Sequence, residues 1–372
     1  MSEWKKVKLG EITIIKTGKL DSNAAVPNGA YPFFTCDPTT LSIDKWAYDT
    51  EAILLAGNNA SGNYTAKYFK GKFNAYQRTY IIETLNPQFA SVRYMAYAMN
   101  QQLQLLKVMS SGSTTKFLTM KMLTQLSIDL PSIETQNRIA TILSRYDSLI
   151  ENYQKQIKLL EEAAQRLYKE WFVDLHFPGH ENTKIIDGLP EGWEKKKLME
   201  FTNVIMGQSP KSEYYNNEHK GLPFHQGVGS YGKRFVEDNT YSTSFTRIAE
   251  PNSILFSVRA PVGRLNITKN KIIIGRGLAA MKHVKDCQSF LFYLLKDRFF
   301  KDNIIGNGAI FASISKDELL NLQFLIPTDG LVQKYEAMAG NIDHNIMKID
   351  SQIRLLTEAR DRLLPKLMSG DI

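Results

Sequence analysis

Residues 156–167 read QIKLLEEAAQRL and residues 352–363 read QIRLLTEARDRL. Eight of the twelve positions are identical, a ninth exchanges Lys for Arg, and the copies lie 196 residues apart. A helical phrase used twice at that distance predicts an internal duplication, which decides every later reading of the chain.

The similarity extends outward in the same order. EWKKVKLGEI (3–12) matches GWEKKKLMEF (192–201), with Trp4 on Trp193, Leu9 on Leu198, Glu11 on Glu200 and, further on, Gly18 on Gly207. GAYPFFTCD (29–37) matches GLPFHQGVG (221–229), and AILLAGNNASGNY (52–64) matches SILFSVRAPVGRL (253–265), with Gly62 on Gly263. FLTMKMLTQLSIDLP (117–131) matches SISKDELLNLQFLIP (313–327). The order is module, helix, module, helix. Each half is about 190 residues, far beyond the ~20–50-residue period of a solenoid.

Short β-rich runs at 52–56, 79–82, 253–258 and 271–274 alternate with Gly, Asn and Pro turn signals. One amphipathic helix is expected in each module, near 91–109 and 289–300. The modules are therefore α+β. The expected boundaries are 1–130 for the first module, 131–189 for a central helix and linker, 190–326 for the second module and 327–372 for a distal helix.

The helical segments carry apolar residues at 3–4 spacing over four or more heptads, as coiled-coil packing requires. The first stripe is Ile139, Ile142, Tyr146, Leu149, Tyr153, Leu160 and Leu167, widened by Ile150, Ile157 and Ala164. The second is Tyr335, Met338, Ile342, Ile349, Leu356 and Leu363, widened by Ile346 and Ile353. Both follow a proline. About 40 residues at ~1.5 Å each make a rod of roughly 60 Å. The nearest apolar partner for each stripe is the other one. The fold expected is thus two α+β modules related by an approximate internal twofold, separated by an antiparallel pair of long coiled-coil-like helices. Gln156 and Gln352 fall at equivalent heptad positions of the seam. They either fix register or are solvated at its edge.

The chain has 372 residues, 43% of them hydrophobic, a net charge of +8 and a pI near 9.1. The charge is unevenly divided. Residues 1–130 carry 14 Lys/Arg against 9 Asp/Glu, and residues 190–326 carry 19 against 13. Residues 131–189 carry 7 against 9 and residues 327–372 carry 6 against 7. All the surplus positive charge sits in the modules. Two basic modules on a slightly acidic spacer suit a polyanion with two separated binding positions, and duplex DNA fits. Cys36 and Cys287, the two cysteines, lack the spacing of a zinc site or a disulfide framework. The first residues lack the apolar stretch of a signal peptide, and no run of ~18 apolar residues predicts a membrane span. A cytoplasmic protein is expected.

Base-reading chemistry is concentrated in Gly-rich loops. The first module offers Asn58, Asn59, Tyr64, Gln77, Arg78, Ser113, Thr114 and Lys116. The second offers Gln208, Lys211, Gln226, Tyr231, Lys233, Arg234, Arg259, Arg264, Arg276 and Asn307. Arg and Lys fork onto guanine, Asn and Gln onto adenine, and glycine lets the backbone approach closely. Taken singly, each reads first as a polar surface residue; the set points to DNA.

Enzyme motifs fail. Gly227-Val-Gly-Ser-Tyr-Gly232 has the GxGxxG spacing, but KRFVEDNTY follows instead of an apolar helix. Asn86-Pro-Gln-Phe89 lacks the second proline of the adenine-methyltransferase motif, and His176 and His180 are separated by Pro178 and Gly179. There is no P-loop and no HExxH. No catalytic residue and no metal ligand is assigned.

PSIETQNRIATILSRYDSLIE (131–151), GLPFHQG (221–227), the duplicated helical phrase and the Trp-x-x-x-x-Leu lead-in of each module together resemble type I restriction-modification specificity subunits. The resemblance spans the whole chain. It implies two target recognition domains, each reading one half of a bipartite, asymmetric site in double-stranded DNA, with the helix pair setting the gap. It also implies no catalysis and no cofactor in this chain. Two methyltransferase subunits would be its partners and hold the methyl donor, and two restriction subunits would join in the full complex. A coiled-coil adaptor that binds only protein, or a free-standing methyltransferase, are the competing readings; the charge partition and the failed motifs speak against them.

Overall fold

Each half begins with the same lead-in. The computed structural model describes residues 4–59, 64–109, 116–300 and 313–372. In the first half, β1 (Lys5–Lys8) runs into the single turn α1 (Leu9–Ile12) and then β2 (Thr13–Thr17). The Glu11 carboxylate accepts the Lys8 N–H at 3.2 Å, capping the turn. The chain is organised as two compact units, Met1–Tyr153 with Gln352–Ile372 and Gln154–Ser351.

In the first unit the strands are β3 (Tyr31–Phe34), β4 (Leu41–Ile43), β5 (Tyr48–Ala56), β6 (Asn58–Asn59), β7 (Ala66–Ala75) and β8 (Thr79–Thr84). After them come α2 (Val92–Met109), β9 (Lys116–Phe117), α3 (Met120–Gln125), β10 (Ser127–Leu130) and the long α4 (Ile133–Phe172). A six-stranded sheet has the order β2-β8-β5-β7-β3-β4, while β1 pairs with β10 and β6 with β9. Strand alternation splits β5 between two cores. Ile53 and Leu55 join Tyr94, Met95 and Met99 of α2, whereas Ala52 and Leu54 join Phe34, Phe73 and Ile81.

The second unit holds β11 (Ile185–Ile186), β12 (Leu189–Pro190), β13 (Glu194–Lys197), α5 (Leu198–Phe201), β14 (Thr202–Met206), β15 (Tyr215–Asn216), β16 (Leu222–His225) and β17 (Tyr241–Ser242). Next are β18 (Ile248–Ala249), β19 (Ile254–Ser257), β20 (Leu265–Ile267), β21 (Ile272–Ile274) and β22 (Leu278–His283). It closes with α6 (Gln288–Phe300), α7 (Lys316–Leu320), β23 (Gln323–Ile326) and α8 (Asp329–Ser369). The lead-in recurs: β13 pairs with β23 as β1 does with β10, and the Leu198 N–H reaches Leu322 O at 2.9 Å as Leu9 reaches Leu126 O at 2.8 Å. The sheet differs. The ten-residue β7 of the first unit is broken here into β20 and β21. The result is a four-stranded sheet, β14-β22-β19-β20, and a five-stranded one, β15-β17-β16-β21-β18.

The boundaries of the compact units fall inside both long helices, not at the prolines that precede them. The physical reason is that each module buries one stretch of each helix. In the first unit Ile139, Ala140 and Leu143 of α4 share a core with Leu367 and Met368 of α8 and with α2. In the second, Ala164, Tyr168 and Trp171 of α4 share a core with Tyr335, Ala339 and Ile346 of α8 and with α6. The Tyr335 hydroxyl donates to Ala164 O at 3.1 Å. Within each unit the two helices run antiparallel.

Contact with a module as well as with the other helix rotates the buried arc. The most buried line runs through Leu143, Ile150 and Ala164, and on α8 through Val332, Ala339 and Ile346. These fall at heptad spacing. Ile142, Tyr153, Gln156, Leu160, Leu167, Ile342, Ile349, Leu356 and Leu363 are half-buried flanks of that line. Leu149 is 45% exposed and Gln352 is exposed, so neither is a seam position.

A tyrosine–aspartate contact fastens each module helix to a long helix. In the first unit the Tyr97 hydroxyl donates to Asp147, whose carboxylate also accepts from Arg360 Nη1 at 2.8 Å. In the second the Tyr293 hydroxyl donates to Asp343 at 3.2 Å, and Arg234 Nη2 donates to the same oxygen at 2.6 Å. Arg234 also donates to Glu161 at 3.2 Å, and its guanidinium lies over the Phe292 ring. Its side chain is 4% exposed. The expectation that Arg234 contacts DNA is therefore wrong: a charge this buried has been drawn inward by two carboxylates.

Removing Arg234 leaves the partly buried Asp343 and Glu161 without their shared cation. Arg234→Ala is expected to destabilise the second unit by about 3–5 kcal/mol. The denaturant midpoint of the purified chain, compared with wild type, measures it.

Candidate nucleic-acid interface

In the second unit three loops meet around a groove of about 860 Å³. The first follows Gly207 and carries Gln208, Ser209 and Lys211. The second follows β16 and carries Gln226 and Ser230. The third is the Gly275-Arg276-Gly277 turn between β21 and β22. The turn is seated by backbone bonds: Gly275 N–H to His225 O at 2.8 Å, Gly277 N–H to Gln226 O at 3.2 Å and Gln208 N–H to Ile274 O at 2.9 Å. Ser209 joins the loops through its hydroxyl, which donates to Gln226 Oε1 at 2.6 Å and accepts the Arg276 N–H at 3.3 Å. Sequence reasoning missed Ser209, because a serine between Gln208 and Pro210 carries no signal until its neighbours are known.

Glycine is required here by close approach. A Cβ on Gly207 would lie 2.1 Å from Gly275 O, and one on Gly277 would lie 2.6 Å from Gln226 O. The second loop is braced from below. His225 is fully buried, with Nδ1 2.8 Å from Ser230 Oγ and Nε2 3.0 Å from Asp238 Oδ1. This Ser-His-Asp contact order has the look of hydrolase chemistry. Ser230 Oγ also lies 3.2 Å from Gly227 O, so the geometry is that of a loop brace.

Of the side chains expected to contact DNA, Gln208, Lys211, Gln226 and Arg276 lie on these loops. Gln208, Lys211, Gln226, Lys233, Arg259 and Arg276 are exposed, and Arg264 is half-buried. Arg259 stands next to the turn, because the Val258 N–H donates to Gly277 O at 2.9 Å. Among the described residues neither Arg259 nor Arg276 has an acidic partner, whereas Lys211 lies 3.8 Å from Glu213. Tyr231 departs from expectation. Its ring packs with Leu255, Ile274 and Leu278, and burial pushes its phenol well above the usual range. It supports the loop from inside.

The first unit builds the same corner. The Gly18 N–H reaches Thr79 O at 3.1 Å, Tyr76 reaches Phe34 O at 2.9 Å and Gly57 reaches Arg78 O at 2.8 Å. A Cβ on Gly18 would lie 2.1 Å from Ala75 O. Gln77 and Arg78 are exposed at the tip of the turn, and Asn58 is half-buried beside it. The Gln77 amide donates to Asp21 Oδ1 at 2.9 Å. Asn59 and Lys116 pair through their backbones in β6 and β9. Tyr64 is a correction: it is 8% exposed, packs in the core under α2, and burial raises its phenol pKa. Ser113, Thr114 and Asn307 lie outside the described residues.

Comparison with known proteins places these features in a family. The sequence profile described as the type I restriction modification DNA specificity domain matches residues 1–162 and 190–338. A Methanocaldococcus jannaschii protein provisionally named type I restriction enzyme MjaX specificity subunit is 35% identical over 259 residues, 67% of this chain and 60% of that protein. The type I restriction enzyme EcoDI specificity subunit of Escherichia coli is 31% identical over 240 residues, 58% of this chain and 53% of that protein. The matched regions thus span a little over half the length of these two relatives. The crystal structure of a type I restriction-modification system S subunit from M. genitalium shares the fold. It has a TM-score of 0.66 at 20% identity and covers 98% of this chain and 96% of that one. Among the described residues no helix is long and apolar enough to cross a membrane.

Both corners depend on a glycine that packs directly against a carbonyl. Gly207→Ala and Gly18→Ala are each expected to cost about 1–3 kcal/mol, the usual range for forcing an extra carbon into a filled space. The shift in unfolding free energy measures it.

Proposed function

The chain belongs to the type I restriction-modification DNA specificity family, and on that premise we propose that it is a sequence-specificity subunit in which each compact unit reads one half of a bipartite site in double-stranded DNA. The observation that carries this is the duplicated corner. Each unit presents an exposed turn tip beside a glycine-packed loop, and the tips carry Gln77 and Arg78 in one unit and Arg276 in the other. Arginine and glutamine are side chains that discriminate bases in the major groove. The surplus positive charge of residues 1–130 and 190–326 supplies the phosphate attraction that such reading needs.

The chain performs no chemistry in this reading. Methyltransferase subunits dock on it and hold the methyl donor, and restriction subunits join the full complex. Its role is to choose the site and to assemble the enzymes there. The names of its relatives, specificity subunits of type I restriction enzymes, support that division of labour.

Reconstitution with the cognate methyltransferase subunit tests the reading. Methylome sequencing of a host expressing both is expected to return one motif of two unlike parts separated by unread bases. A continuous motif, or the same methylation without this chain, overturns it. DNA binding by the complex should weaken steeply with salt, with a slope of about one per phosphate contact. Salt-independent retention would favour a protein adaptor.

A further inference from the structure

The backbone hydrogen bonds of the two corners correspond one to one. Gly18 N–H to Thr79 O answers Gly207 N–H to Leu278 O, and Tyr76 N–H to Phe34 O answers Gly275 N–H to His225 O. Gly57 N–H to Arg78 O answers Val258 N–H to Gly277 O, and Leu118 N–H to Gly57 O answers Ile314 N–H to Val258 O. Ladder positions agree: Phe34 pairs with Ala75 where His225 pairs with Ile274, and Asn58 faces Phe117 where Arg259 faces Ser313. Two matched positions follow. Gln77 in the first unit stands where Arg276 stands in the second. Asn58 stands where Arg259 stands. At both positions an amide in one unit is replaced by a guanidinium in the other.

The substitution has a specific chemical meaning. An amide presents one acceptor and a pair of donors, the complement of adenine N6 and N7. A guanidinium presents only donors in a planar fork, the complement of guanine O6 and N7. Gln77 spends one amide hydrogen on Asp21 and keeps the other, with its carbonyl oxygen, for a base. Arg259 and Arg276 are exposed and, among the described residues, without a carboxylate partner. The buried Arg234 shows the contrast, since two carboxylates absorb its charge. Arg78 has Gly277 as its counterpart, so it lies outside the exchanged pair.

We propose, resting on the specificity-subunit reading, that these two positions determine base choice in each unit: Asn58 and Gln77 read adenines in one half-site, and Arg259 and Arg276 read guanines in the other.

The test is an exchange within the full-length chain, reconstituted with its methyltransferase subunit. Wild type comes first: absence of a two-part methylated motif sinks the specificity-subunit reading itself, before any variant is made. Given that motif, Arg276→Gln and Gln77→Arg are compared by methylome sequencing. Competition with duplexes altered at single base pairs gives the same preferences for a complex that binds but no longer methylates. Arg276→Gln is expected to lower preference for one guanine by at least about tenfold, the order of a single bidentate contact. Only the half-site read by the second unit should change. Gln77→Arg should act on the other half alone, moving preference from adenine toward guanine. Arg259→Asn and Asn58→Arg form an independent second pair. Unchanged base preference in all four variants, or equal loss at every position of both halves, overturns the assignment.

Discussion

An aspartate that accepts a tyrosine hydroxyl and pairs with an arginine is the constraint on which both units depend. The motif occurs twice at the spacing of the sequence repeat: Tyr97 with Asp147, and Tyr293 with Asp343. Burial, reinforced by Asp147, holds the Tyr97 phenol far above its usual range, so the proton stays on the tyrosine. A carboxylate partly withdrawn from water is stabilised by a cation close by. The two units find it in different places. Arg360 comes from the long helix α8 in the first, and Arg234 from the module in the second. These contacts tie α2 and α6 to the long helices, and in the second unit separation would leave Arg234, 4% exposed, without its carboxylate partner.

The junctions at the start of each long helix follow the same logic with different residues. Gln136 is fully buried. Its amide donates to Phe89 O and Pro131 O, and its oxygen accepts the Ser91 N–H just before α2. In the second unit Glu336 accepts the Ser289 and Phe290 N–H groups at the start of α6. Each long helix thereby satisfies the free amides at the beginning of its module's helix, where no intrahelical partner exists.

Above this repeated support the turn tips are free to differ. The glycines, carbonyls and ladder bonds of the two corners coincide, while Asn58 and Gln77 give way to Arg259 and Arg276. Support residues answer to packing, which tolerates few changes. Exposed tip residues answer to whatever they touch. A duplicated protein that reads two unlike sequences needs that separation.

The sequence by itself determined the duplication, the α+β modules and the two long helices. Those rest on local periodicity and on pairs such as Trp4/Trp193 and QIKLL/QIRLL, which survive without any knowledge of contacts. It also brought Asn58 opposite Arg259. It did not place Gln77 opposite Arg276, because β7 is continuous in one unit and broken in the other, and only the ladder shows the match. Nor could it tell Arg234 from Arg276, two arginines in glycine-flanked loops. The tertiary structure decided that Glu161 and Asp343 draw the first inward while the second, among the described residues, meets no carboxylate. The seam of the long helices, one position away from Leu149 and Gln352, was decided in the same way, since a helix buries the arc its neighbours cover and the sequence names no neighbours.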